Sequence, residues 1–196
     1  MRFRKTDLAV LAVLLAALAA VIVLSAQQDR FSDKLIRLHV VADSDSAADQ
    51  QEKLRVRDTV MGLLEERLEH AESRGEADRI VAGSLREIER VSAAACGKAV
   101  RATLADEYFP TREYETFSLP AGVYRALRVT IGEGAGKNWW CVVFPPVCTG
   151  SLSHGAAEAV FSPEDVSLVT ESSPGYVIKF RLFELVGELR GLLSGR

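Results

Sequence analysis

From Leu8 to Ala26 the chain reads LAVLAVLLAALAAVIVLSA, without a single charge, and beyond it the apolar positions settle into rhythms of two and of three to four. The continuous run comes first. Nineteen residues at helical rise extend about 28 Å, close to the hydrocarbon thickness of a bilayer. Arg2, Arg4 and Lys5 precede the run. Basic residues on that side stay in the cytoplasm, so everything after Ala26 is expected on the far side of a membrane. The length favours a retained anchor; the small residues Ser25 and Ala26 make signal cleavage the alternative.

A linker at 27–34 leads to LIRLHVVA, Leu35 to Ala42, where Ile36, Leu38 and Val40 alternate with Arg37, His39 and Val41 as in a strand. Ser46 followed by Asp49 resembles a capping box with the shorter carboxylate. Leu54, Val56, Val60, Leu63, Leu64 and Leu68 then recur at helical spacing. After a break at Ser73-Arg74-Gly75 a second helix is expected from about Glu76 to Leu104, with Val81, Leu85, Ile88, Val91 and Ala95 on one face. Cys96, beside that face, reads as a small buried residue.

The rhythm of two returns, weakly at Tyr114–Ser118 and strongly after the turn Pro120-Ala121-Gly122. Val123, Leu127, Val129 and Ile131 form one face, with Arg125 the exception. Asn138 to Phe144 is the next strand, Trp139, Cys141 and Val143 facing one way and Trp140, Val142 and Phe144 the other. Two strands joined by the glycine-rich loop Gly132–Lys137 predict a hairpin. Thr149 to Gly175 reads as loop with one short helix, and the tail YVIKFRLFELVGELRGLL alternates before turning helical. The expectation is an α+β fold: a basic stretch at 1–7, a transmembrane or signal helix at 8–26, and one domain at 35–196 ordered β-α-α, antiparallel strands, C-terminal helix.

Charge narrows the partners. Arg2, Arg4 and Lys5 against Asp7 account for +2 of the net −3, so the exported part stands at −5. It has no basic stripe, which excludes a nucleic-acid binder. Of the three cysteines, Cys141 and Cys148 are a disulfide candidate in an oxidising compartment, with Cys96 left over.

The stretch GEGAGKNWWCVVFPPVC, Gly132 to Cys148, invites a phosphate-loop reading, which fails. Ile131 stands where the first glycine is required, Asn138 follows the lysine, and a strand rather than a helix comes next. Gly132, Gly134 and Gly136, spaced two and two, miss the dinucleotide pattern as well; positive φ in a turn explains them better. Asp43, Asp45 and Asp49 lack the middle glycine and terminal glutamate of a calcium loop, and helix capping accounts for them. A thiol hydrolase would need Cys141 or Cys148 beside His39 or His154, with nothing local to poise a thiolate. Ser151, Ser153 and His154 sit in no nucleophile-elbow pattern. No catalytic, cofactor or metal residue is therefore assigned. Trp139 and Trp140, stiffened downstream by Pro145 and Pro146, suggest a rigid presented surface, since tryptophan is enriched in interface hot spots.

Taken together, LIRLHVVADSDSAADQQEKLRVRD and GEGAGKNWWCVVFPPVC strongly resemble stage II sporulation protein R of endospore-forming bacteria, in the same order and behind an export segment. Asp43 departs from the asparagine usual in that family. The resemblance implies a non-enzymatic signal, made in the forespore and exported into the space between the two membranes around it. There it would activate the mother-cell membrane aspartic protease, the sigma-E factor-processing peptidase. Under that reading Trp139, Trp140, Pro145 and Pro146 are candidate contacts, with Asp43, Ser44, Asp45 and Ser46 as a second set. An exported thiol hydrolase and an envelope scaffold are the alternatives.

Overall fold

The computed structural model describes residues 5–113 and 118–145. Helix α1 runs Lys5–Ser32, continuing through most of the expected linker. Its large described apolar side chains, Leu8 through Val23, are 52 to 69% exposed, so the described residues do not cover them. Among the described residues no helix is long and apolar enough to cross a membrane. Several side chains of α1, including those at 17, 20, 21 and 24, lie outside that set.

Strand β1 (Ile36–Val41) follows, buried at all six positions. Helix α2 (Ala47–Leu68) starts at Ser46, whose Oγ accepts from Asp49 N at 3.1 Å, as the capping pattern predicts. The reciprocal half of the box differs: Ser46 N donates to Ser44 Oγ, and the Asp49 carboxylate turns elsewhere. Helix α3 (Arg74–Cys96) is capped in the same way by Ser73.

Here the second helix ends eight residues earlier than its expected limit at Leu104. Gly97 adopts φ 71° and donates its N–H to Ala93 O, a left-handed stop that residues with a Cβ resist. Residues Val100–Phe109 become strand β2. Short strands β3 (Arg112–Glu113) and β4 (Ser118–Leu119) pair with each other, and β5 (Gly122–Ile131) and β6 (Asn138–Phe144) complete the set. Residues 114–117, the tail after 145, Pro146 and Cys148 lie outside the described residues.

The main sheet has the order β2-β5-β1-β6. The expected hairpin between β5 and β6 does not form. Strand β1 lies between them, parallel to β5 and antiparallel to β6. A strand buried along its whole length needs a partner on each side for its backbone polar groups. Loop Gly132–Lys137 therefore steps over the end of β1 and spans two strand spacings, about 9–10 Å. The sheet is mixed, with β2 and β5 antiparallel.

Helices α2 and α3 pack on one face. Ile36, Leu38, Val40, Leu127, Val129 and Ile131 meet Val56, Val60, Leu64, Ala77, Val81 and Ile88 there, and Cys96 is buried beside them. Each fully buried Val, Leu or Ile contributes about 1.5–3 kcal/mol, so this layer dominates stability. Arg125, the exception in the apolar pattern of β5, forks onto Asp78 of α3 at 2.6 and 3.3 Å, a bidentate pair at the margin of the core.

Candidate functional site

The two sequence stretches that stand out most are far apart in the chain and form one structure. Ala42–Ser46 leaves the end of β1, and Gly132–Lys137 wraps around it. Every backbone N–H of the loop has an acceptor within the protein. Gly132 donates to Ala99 O, Gly134 to Ile131 O, Ala135 to Asp43 O and Gly136 to Ala42 O, at 2.9 to 3.0 Å. Glu133 N donates to Asp43 Oδ1 at 3.0 Å and Lys137 N to Asp45 Oδ1 at 2.7 Å. No backbone donor from 132 to 137 is left to meet a phosphate, which agrees with the failed motif.

Two glycines permit this closeness for different reasons. Gly132 has φ 53°, and a Cβ there would overlap the Asp43 carboxylate. Gly136 has no positive φ; its Cβ would collide with the Ser44 carbonyl oxygen and come within 2.9 Å of Ala42 Cβ. Positive φ is thus part of the explanation, and backbone approach is the other part.

Lys98, two residues before β2, fastens the knot from the side. Its ammonium meets Asp43 Oδ2 at 2.9 Å, Glu52 Oε2 at 3.2 Å, and Asp49. Lys98 foremost, and the Ser44 hydroxyl next, hold the Asp49 carboxyl down to about 2 from its ordinary 3.8. Lys98 and then the Glu133 N–H also lower Asp43. Asp49 and Asp43 in turn hold Lys98 above its usual range. An ammonium sits where a cation-binding reading of Asp43 and Asp49 would put a metal, and among the described residues no group of ligands fits one. Lys53, buried on α2, donates to Lys137 O at 3.0 Å and to Gln50 Oε1 at 2.6 Å. Burial is the main cause of its lowered pKa.

The tryptophans do point to opposite faces. Trp139 lies on the helix side, 36% exposed, with the Arg57 guanidinium 4.4 Å from its ring centroid. Trp140 lies on the other side, stacked on His39 at 3.9 Å and edge-on to Phe109 at 4.7 Å. The buried His39 ring bridges Glu107 Oε2 at Nδ1, 3.1 Å, and Asn138 Oδ1 at Nε2, 2.9 Å. Burial pushes the Glu107 carboxyl up, but the His39 hydrogen bond and the Arg128 charge outweigh it, so the net shift is downward.

Of the contact candidates, Trp139, Asp45 and Ser46 are exposed, Asp43, Ser44 and Trp140 are half-buried, and Pro145 is buried. Cys141 is disulfide-bonded and Cys96 is free. A disulfide sulfur has no thiolate to attack with, which weighs against a hydrolase using Cys141. His154, Ser151 and Ser153 fall outside the described residues. Sequence reasoning missed Lys98, Glu52, Lys53, Glu107 and Asn138. Lys53 had a signal: it continues the buried stripe of α2 one turn below Val56, where a lysine needs partners. Lys98, placed just after a helix-ending glycine, had none.

Comparison with known proteins converges on one family. The sequence profile of stage II sporulation protein R matches residues 32–154. The chain is 38% identical over 138 residues to the stage II sporulation protein R of Bacillus subtilis (strain 168), covering 68% of this chain and 61% of that protein. The match thus spans less than two thirds of that relative's length. No solved structure matches.

Proposed function

This chain belongs to the stage II sporulation protein R family, and from that premise we propose that it is an exported sporulation signal rather than an enzyme. Made in the forespore, it crosses the forespore membrane through Leu8–Ala26. From the space between the membranes it activates the mother-cell membrane aspartic protease that processes the sigma-E precursor. The observation carrying this reading is the family match over 32–154, which includes both halves of the knot. The exposed apolar side chains of α1 support a membrane anchor, because lipid would cover what the described residues leave bare.

Activation needs no chemistry from the signal. A partner that binds the protease's active arrangement better than its inactive one shifts the population by that difference in affinity. Anchoring at the facing membrane raises the signal's effective concentration. The sheet has a direction that suits this. Helix α1 leads into β1 at Ile36, and the knot closes the other end, six strand residues or about 20 Å away. The knot and Trp139 then face away from the anchoring membrane.

The test is reconstitution in a non-sporulating bacterium, co-expressing this chain, the protease and the precursor and following cleavage by immunoblot. Cleavage only in the presence of the chain is expected. Its absence, with all three proteins made and correctly placed, would overturn the reading and favour an envelope scaffold.

A further inference from the structure

We propose that a groove on the sheet face opposite the helices, at the knot end, binds a carboxylate-bearing segment of the receptor protein; this rests on the signalling function proposed above. The groove has a volume of about 560 Å³ and is lined by Arg101, Thr103, Arg128 and Thr130, with Gly132 and Glu133 along one side. Register explains the arrangement. Arg101 pairs with Thr130, and Thr103 with Arg128, so two guanidinium groups and two hydroxyls alternate in a square across β2 and β5. All four side chains share one face because they are paired or two apart.

The arginines keep donors for a ligand. Arg101 is exposed and makes no ion pair among the described residues. Arg128 meets Glu107 Oε1 at 3.5 Å with 43% of its side chain still exposed. A guanidinium has five donors and matches a carboxylate in a two-pronged geometry, and the threonine hydroxyls add orientation. In a chain of net charge −3, this places positive charge where little else attracts an anion.

Shape and number favour a peptide over a membrane surface. Attraction to anionic headgroups usually takes a cluster of about four to eight basic residues. Here two arginines sit in a concavity with Glu133 beside them. Side-chain carboxylates are the anions a protein partner brings. The groove also shares a surface with the aromatic cluster, because Arg128 holds Glu107, and Glu107 holds the His39 that stacks on Trp140.

The experiment uses the full chain in the reconstituted system, at matched expression and with thermal unfolding as a folding check. Arg101→Glu is expected to slow precursor cleavage about tenfold or more, while Arg101→Lys, which keeps the charge and loses the two-pronged geometry, falls between it and the wild type. A photo-crosslinking residue, Thr103→p-benzoylphenylalanine, is expected to capture a peptide of the protease rich in Asp or Glu. Unchanged cleavage by a folded Arg101→Glu chain would overturn the groove alone, as would crosslinks only to lipid or to residues 146–196 of this chain. A wild-type chain that triggers no cleavage would overturn the signalling reading, and this inference with it.

Discussion

One buried stripe on α2 serves two different regions of the molecule. At Leu68, Leu64, Val60 and Val56 it is apolar and packs into the core; at Lys53 and Asp49 it is charged and enters the knot. The apolar half loses water and gains packing without direction. The polar half is held by directed bonds: Asp49 to Lys98 and Ser44, Lys53 to the Lys137 carbonyl. Such bonds each add little net stability but fix one geometry, because leaving a buried donor or acceptor unmatched costs more than the bond contributes. The comparison teaches a division of labour. The core sets how stable the domain is, and the knot sets which surface is presented at its end.

The largest expected effect lies in the core. Leu38→Ala removes a side chain of 0% exposure in the sheet centre and should lower unfolding free energy by about 2–5 kcal/mol. Denaturant unfolding with an unchanged slope would check it, and cleavage activity should fall only as folded protein is lost. In the knot, Gly136→Ala forces a Cβ against the Ser44 carbonyl and should cost about 1–3 kcal/mol. Its signature differs: amide exchange should quicken at 42–46 and 132–137 while the helix-facing strands stay protected. Uniform loss of protection would break the distinction between the two regions.

Acid should act on the knot and, through the lowered Glu107 carboxyl, on its pairing with His39 and Arg128. The folded Asp49 pKa is depressed from 3.8 to about 2, so its stabilising contribution is complete above the ordinary value and is lost as pH falls toward about 2. Asp43 shifts in the same direction. Melting temperature should therefore drop between about pH 4 and pH 2, and Lys98→Met, which removes the shared cation, should flatten that dependence. A variant with the wild-type acid profile would contradict the assigned role of Lys98.

The apolar half of this division was legible in the sequence and the polar half mostly was not. Period alone placed Ile36, Leu38 and Val40 on the core face, and the Ser46 cap and the opposed tryptophans followed from local pattern. The parallel pairing of β1 with β5 was invisible, because nothing near residue 125 refers to residue 36. Adjacency in sequence made a hairpin look natural where a central strand intervenes. Helix continuation past Gly97 was misjudged for a related reason: alanines and lysine around it favour helix, and the left-handed stop outweighs them. At the site, the glycines, Asp43, Asp45 and Ser46 stood out as residues, but their union across 90 positions is a tertiary fact.

The smallest structural change should have the most specific consequence. Trp139→Ala removes a ring 36% exposed and lying under the Arg57 guanidinium, a contact that contributes about 0.5–1 kcal/mol. The most direct test of the claim that the knot end is what the receptor reads is to measure, for this variant, precursor cleavage in the reconstituted system beside its melting temperature. The account predicts near-wild-type melting with cleavage largely lost. Full cleavage by the Trp139→Ala chain, at equal abundance and stability, would contradict it.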